Sequence, residues 1–195
     1  FVLIGRITDY NLDAHNKNFD LICKIFQKLH YENIRNFYVY IIGANHSTNM
    51  LNKLKSYNLP NLFIFENATE DIKNNVLNKS KYIINNTGMN RNIDTEPYAY
   101  EHFGISFVEG LNRNCIPLSI NGGYPAILTS LFGGSVFNNM DDAYTLFKKI
   151  IIGDIVLNYN LSNKHIIEQF TITKFNTNMR SILNKLDCFK NIRKY

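Results

Sequence analysis

Residues 100–110 read YEHFGISFVEG, with two carboxylates, Glu101 and Glu109, bracketing a Phe-Gly pair and an apolar run. The run predicts a helix beginning just after Gly104. The first amides of that helix, from Ile105 and Ser106, then have no partner inside it, and its dipole favours an anion ahead of it, beside Phe103. A diphosphate suits such a place. Arg6, just past the apolar opening FVLIG, offers a planar fork for phosphate oxygens, and Lys17 offers a mobile point charge. Glu109, one turn into the helix, has a carboxylate able to accept hydrogen bonds from a ribose, and Glu101 can hold hydroxyls on the far side of the diphosphate. Were both acids helical, a rise of 1.5 Å per residue would set them roughly 12 Å apart, too far for the carboxylate pair of a glycosidase. They read better as clamps on two ends of one ligand. On spacing alone, Glu109 reads equally as a solvated helix residue, and Glu101 as a loop acid favoured by the helix dipole.

Other chemistries fit the chain less well. The five histidines (15, 30, 46, 102 and 165) show no metal-ligand spacing, so no metal is expected. The segment GISFV is not a nucleophile elbow, and no Ser-His-Asp set can be assembled. Cys23, Cys115 and Cys188 lie at wide, unpatterned intervals, which argues against a disulfide framework and for reducing, cytoplasmic surroundings, those of a host cell if the source is viral. The net charge of +5 suits an anionic ligand, but the lysines are scattered without a cluster of five or six, so no nucleic-acid partner is expected. At 195 residues, 45% hydrophobic and 19% charged, the chain is long enough for one generous folded domain. No apolar run reaches membrane-spanning length. The chain opens in mid-strand without a methionine, as a domain cut from a longer protein would.

The elements that must position these residues alternate at near-regular intervals. Strands are expected at 1–5, 37–43, 61–65, 81–85, 115–120 and 135–137. Helical periods fall between them at 18–30, 48–57, from Thr69 onward, 104–113 and 124–131, with a further helix from Asp141 to about 151. Residues 162–195 form a closing, mostly helical segment. Alternation of this kind predicts an α/β fold: a Rossmann-like three-layer sandwich with a mostly parallel six-stranded sheet in the order 3-2-1-4-5-6. Ligands of such sheets bind beyond the carboxyl ends of the strands where the order reverses, here between the first and fourth. The loops at that point, 6–17 and 86–103, carry Arg6 and Lys17 on one side and lead into Glu101 on the other.

The segment EHFGISFVEGLNRNCIPLSINGGYPAIL resembles the signature of retaining glycosyltransferases of family 4, which share the two-domain GT-B fold. Their pattern runs Glu, seven residues, Glu, with Phe-Gly after the first acid, then an apolar strand and a Gly-Gly-x-Pro-like turn. FVLIGRITDY followed by NKNFDLICKIF is similar to their Gly-Arg, Lys and helix segment. The resemblance covers nearly the whole chain as the carboxyl-terminal, donor-binding half of such an enzyme. It implies that Arg6 and Lys17 contact the diphosphate of a nucleotide-sugar donor and that Glu101 holds the sugar. Phe103, Gly104, Ile105 and Ser106 would form the diphosphate seat, and Glu109 would bind the ribose. Gly122 and Gly123 would let backbone approach the ligand. It further implies transfer with retention to an acceptor (glycan, lipid or protein) held by an absent amino-terminal domain, no cofactor and no metal, and no turnover by this segment alone.

Four departures stand out. The interval from Arg6 to Lys17 is longer than is usual in the family, and His102 stands where Pro is common. The loop 87–100 is expanded, and Ala126 stands where a Glu usually follows the Gly-Gly-Pro turn. A non-catalytic nucleotide-sugar or glycan-binding module is therefore the alternative reading, with Ala126 as its mark. A nucleotide-sugar epimerase, built on the same architecture, is a third.

Overall fold

A computed structural model describes residues 1–9 and 16–192 of the chain, with side chains to residue 184. His15, the middle of the 6–17 loop, the Cys188 side chain and the last three residues of the expected closing segment lie outside the described residues. Six strands form one sheet: β1 (Val2–Ile4), β2 (Val39–Gly43), β3 (Leu62–Glu66), β4 (Tyr82–Asn85), β5 (Ile116–Ile120) and β6 (Ser135–Phe137). Their order is β3-β2-β1-β4-β5-β6 and every pairing is parallel, as the alternation predicts. The helices between them are α1 (Phe19–Tyr31), α2 (Thr48–Ser56), α3 (Glu70–Lys79), α4 (Ile105–Asn112), α5 (Gly123–Leu131) and α6 (Met140–Ile152).

Local chemistry sets the starts of these helices. The Ser47 hydroxyl accepts from the Met50 amide at 3.1 Å, Thr69 from Ile72 at 3.4 Å, and the Asn139 side chain from Asp142 at 2.9 Å. Each satisfies one amide the helix itself cannot. Glu70 and Asp71 in the first turn of α3, and Asp141 and Asp142 in that of α6, add favourable charge against the dipole. At the other end of α6, Gly153 takes the left-handed conformation, φ 87°, that closes a helix.

The strands at the centre read as continuous apolar runs because helices cover both faces. All five residues of β5 are buried. α1 and α6 lay Phe26 and Phe147 over the sheet, their rings stacked at 5.5 Å, and Phe137 of β6 meets Phe147 edge-on at 5.8 Å. The edge strand β3 is by contrast half-exposed. After α6 the chain runs back along the domain. The Tyr159 hydroxyl donates to the Leu111 carbonyl at 2.8 Å, and the Asn160 amide to that of Phe132 at 3.1 Å. Contacts divide the chain there into two compact units, Phe1–Asn160 and the segment from Leu161 onward. The second unit contains α7 (Lys164–Glu168) and α8 (Ile172–Ile192).

Candidate functional site

Because β1 and β4 are parallel neighbours, paired at Val2 and Ile83, the segments that leave their carboxyl ends emerge side by side. The first does not leave the sheet at once. The Gly5 amide donates to the Ile42 carbonyl at 3.0 Å and the Ile7 amide to Ala44 at 2.9 Å, so the backbone of Arg6 is pinned on both sides. Ile7 is buried while Arg6 is exposed, which aims the guanidinium outward from a rigid stalk.

Lys17 is held as well, contrary to the mobile charge expected of it. Its aliphatic stem crosses Gly5, where an added Cβ would sit 2.6 Å from the lysine Cγ. Only a residue without a side chain leaves that path open. The Lys17 ammonium ends in an ion pair with Glu101, and both side chains are about four-fifths buried. On either side of Lys17, Asn16 and Asn18 are buried. Asn18 donates to the Asn86 carbonyl at 3.2 Å, and the Asn86 amide group donates back to the Asn18 carbonyl at 2.9 Å. This reciprocal clasp ties the loop before α1 to the loop after β4.

Glu101 precedes α4 instead of lying within it. Burial works to raise the pKa of its carboxyl. The Lys17 hydrogen bond and charge, with the Phe103 and Gly104 amides donating to it, outweigh that and hold it below the ordinary glutamate value. Those donations turn the chain sharply at Gly104, which takes φ 79° at the cap of α4. The amides of Ile105 and Ser106 follow, the first two of the helix, and no residue of the helix can accept from them. Lys17, Glu101, Gly104, Ile105 and Ser106 line one cleft above β1 and β4, floored by Ile4, Ile83 and Ile84. Asn85 lines it too, and its side-chain Nδ2 is buried with no hydrogen-bond partner. Arg6 lines a second, more open cleft that shares Ile4 with the first and extends over Gly43, Asn67 and Ala68.

Other expected residues lie further back. Glu109 is partly exposed on α4 and pairs at 2.8 Å with Lys73 of α3, which also meets Glu70 at 2.9 Å. Burial disfavours the Lys73 charge, yet the two carboxylates hold its pKa above the ordinary lysine value. Gly122 backs onto the Tyr100 ring, and Gly123, φ 68°, lies against the Glu101 carbonyl, to which the Tyr124 amide donates at 3.2 Å. The Phe103 ring stacks on Tyr124 at 5.8 Å. Tyr100 is wedged between Gly88 and Gly122, and its hydroxyl donates to the Arg91 carbonyl at 2.8 Å, so the expanded loop is folded back on itself.

Sequence reasoning did not single out Lys73, Asn85, Asn86, Tyr100 or the glycine under Lys17. Lys73 reads as an ordinary surface lysine three residues after Glu70, and its partner on α4 is 36 residues away. The one available signal was Gly5 directly before Arg6.

No protein-family model matches the chain, and no curated protein matches its sequence. Solved structures do match in fold. AviGT4, a glycosyltransferase involved in avilamycin A biosynthesis, superimposes with a TM-score of 0.57 at 13% identity over 82% of this chain. WaaG, a glycosyltransferase involved in lipopolysaccharide biosynthesis, gives 0.57 at 13% identity over 77%. A mutant of S. aureus TarM in complex with fondaparinux, α-GlcNAc-glycerol and UDP gives 0.54 at 15% over 78%. The chain spans 42%, 38% and 29% of those three proteins, less than half of each. At such identities the likeness is one of architecture: this chain has the Rossmann-like fold found within glycosyltransferases of GT-B type.

Proposed function

We propose that the chain is the donor-binding portion of a retaining glycosyltransferase, taking a nucleoside-diphosphate sugar. The observation that carries this reading is the cleft between β1 and β4, where a buried Lys17–Glu101 pair stands at the start of α4. Helix amides and the Lys17 ammonium line that cleft, and Arg6 lines the adjoining one. That combination stabilises negative charge developing on a departing diphosphate. In this reading Lys17 and Arg6 face the phosphates, and Ile105 and Ser106 donate to them. Glu101 is the hydroxyl acceptor beside Lys17, and its carboxylate, kept ionised, can accept from the sugar. Asn85 supplies a further donor to the cleft. Glu109, steadied by Lys73, accepts from the ribose, and the turn at Gly122 and Gly123 brings the backbone behind Glu101 close to the sugar. The acceptor and its binding domain belong to the remainder of a two-domain enzyme.

Ala126 favours a second reading, a binding module that no longer transfers sugar. Isothermal titration with UDP- and GDP-sugars tests the shared part: binding by the wild type is expected, weakened at least tenfold in Arg6→Ala and Lys17→Ala. Unchanged affinity in both variants rules out the site. Release of free nucleoside diphosphate from the donor, measured on the two-domain protein, separates the enzyme from the module.

A further inference from the structure

Asn85 is the last residue of β4, and parallel pairing with Ser119 of β5 fixes its place in the sheet. It is only 7% exposed. Its Oδ1 accepts from the Thr87 hydroxyl at 3.0 Å, and Thr87 is itself completely buried. With the oxygen occupied, the Nδ2 hydrogens are left for the cleft that Asn85 lines, and no described residue accepts from them. A buried donor without an acceptor is unfavourable, and native folds leave few of them. The floor around it is apolar, made by Ile4, Ile83 and Ile84. The acceptor therefore comes from whatever fills the cleft.

The other residues of the cleft narrow down what that is. Ile105 and Ser106 bring amides that α4 cannot use, and Lys17 brings an ammonium. The Glu101 carboxylate is already engaged, accepting from Lys17 and from the Phe103 and Gly104 amides. A hydroxyl both donates and accepts, whereas an ionised phosphate oxygen only accepts. Donors gathered at a helix start suit the second kind of group. We infer that Asn85 binds the sugar-bearing phosphate of the donor, sharing it with Lys17 and the first amides of α4. Glu101, in the same cleft, sets the sugar beside that phosphate, and Arg6, across Ile4 in the adjoining cleft, takes the phosphate next to the nucleoside. An uncharged amide serves an anion from an apolar floor without the desolvation that a second buried ammonium would carry. The assignment rests on the donor-site reading above, and it adds a residue that tells a nucleoside diphosphate from a monophosphate.

Isothermal titration of the 195-residue chain with UDP, UMP, GDP and GMP tests it. The wild type is expected to bind one of the diphosphates at least tenfold more tightly than the matching monophosphate. Asn85→Ala is expected to lower diphosphate affinity about tenfold or more and to leave monophosphate affinity unchanged. Asn85→Asp keeps the side-chain size and an acceptor for Thr87, so it spares the fold while setting a carboxylate against the phosphate. A deeper loss than in the alanine variant is expected, again for the diphosphate alone. Equal losses for both nucleotides mark a structural role and overturn the inference. So does a diphosphate affinity untouched by Asn85→Asp, which decides the matter even where the alanine variant fails to fold. Diphosphate binding indifferent to residue 85 overturns this assignment alone, whereas a wild type that binds none of the four nucleotides removes the donor-site reading with it.

Discussion

The Lys17–Glu101 pair is where residue chemistry and folding meet, because both charges are mostly buried and each is the other's partner. Replacing Glu101 with Gln leaves a buried ammonium beside a neutral amide, and a cost of about 2 kcal/mol is expected. The pH dependence follows from the depressed glutamate pKa. A carboxyl whose folded value lies below its unfolded value adds stability that is complete above the unfolded value, about 4.3, and lost as pH falls through the folded one. Urea unfolding of wild type and Glu101→Gln should therefore differ by a constant amount from pH 6 to 8, and the two curves should converge in acid below about pH 4. A difference that persists unchanged into acid would show that the carboxylate charge is not what stabilises the fold.

At the scale of elements, the start of α4 depends on Gly104. With φ at 79° and the Glu101 Cγ and Phe107 Cβ only 3.2 and 3.3 Å from where a Cβ would stand, Gly104→Ala meets strain and crowding together. Destabilisation of about 1–2 kcal/mol is expected in chemical denaturation. Nucleotide-sugar affinity should fall beyond that, because the amides of Ile105 and Ser106 turn with the cap. The Asn18–Asn86 clasp holds the opposite wall. Asn86→Ala removes the donor to the buried Asn18 carbonyl while the bond from Asn18 to the backbone carbonyl at 86 remains, and about 1–3 kcal/mol of lost stability is expected, with weaker binding from a loosened Lys17.

These elements divide into what the sequence makes legible and what it hides. The strand and helix alternation, the helix after Gly104 and the end of the sheet at which Lys17 and Glu101 meet, with Arg6 in the adjoining cleft, follow from periodicity and parallel topology. The pairings do not: Lys17 and Glu101 are 84 residues apart, and periodicity carries no register between distant loops. For the same reason Lys73 on α3 is indistinguishable by sequence from any solvated lysine until α4 brings Glu109 beside it.

At the scale of the molecule, every residue of the proposed site, from Arg6 to Gly123, lies in the unit Phe1–Asn160, and the return of the chain through Tyr159 and Asn160 closes that unit upon itself. It holds the entire sheet and the buried ring cluster over it. A chain ending at Asn160 should therefore fold cooperatively and bind donor as the longer chain does. Ligand that binds only the folded state stabilises it by about 2.7 kcal/mol at a hundredfold excess over its dissociation constant. For a domain of this size that raises the melting temperature by roughly 5–10 °C. Thermal unfolding with and without a saturating UDP- or GDP-sugar, run on both lengths, checks this. Equal shifts are expected, since every residue proposed for the site precedes Asn160. A shift confined to the longer chain would place part of the donor site in the segment from Leu161.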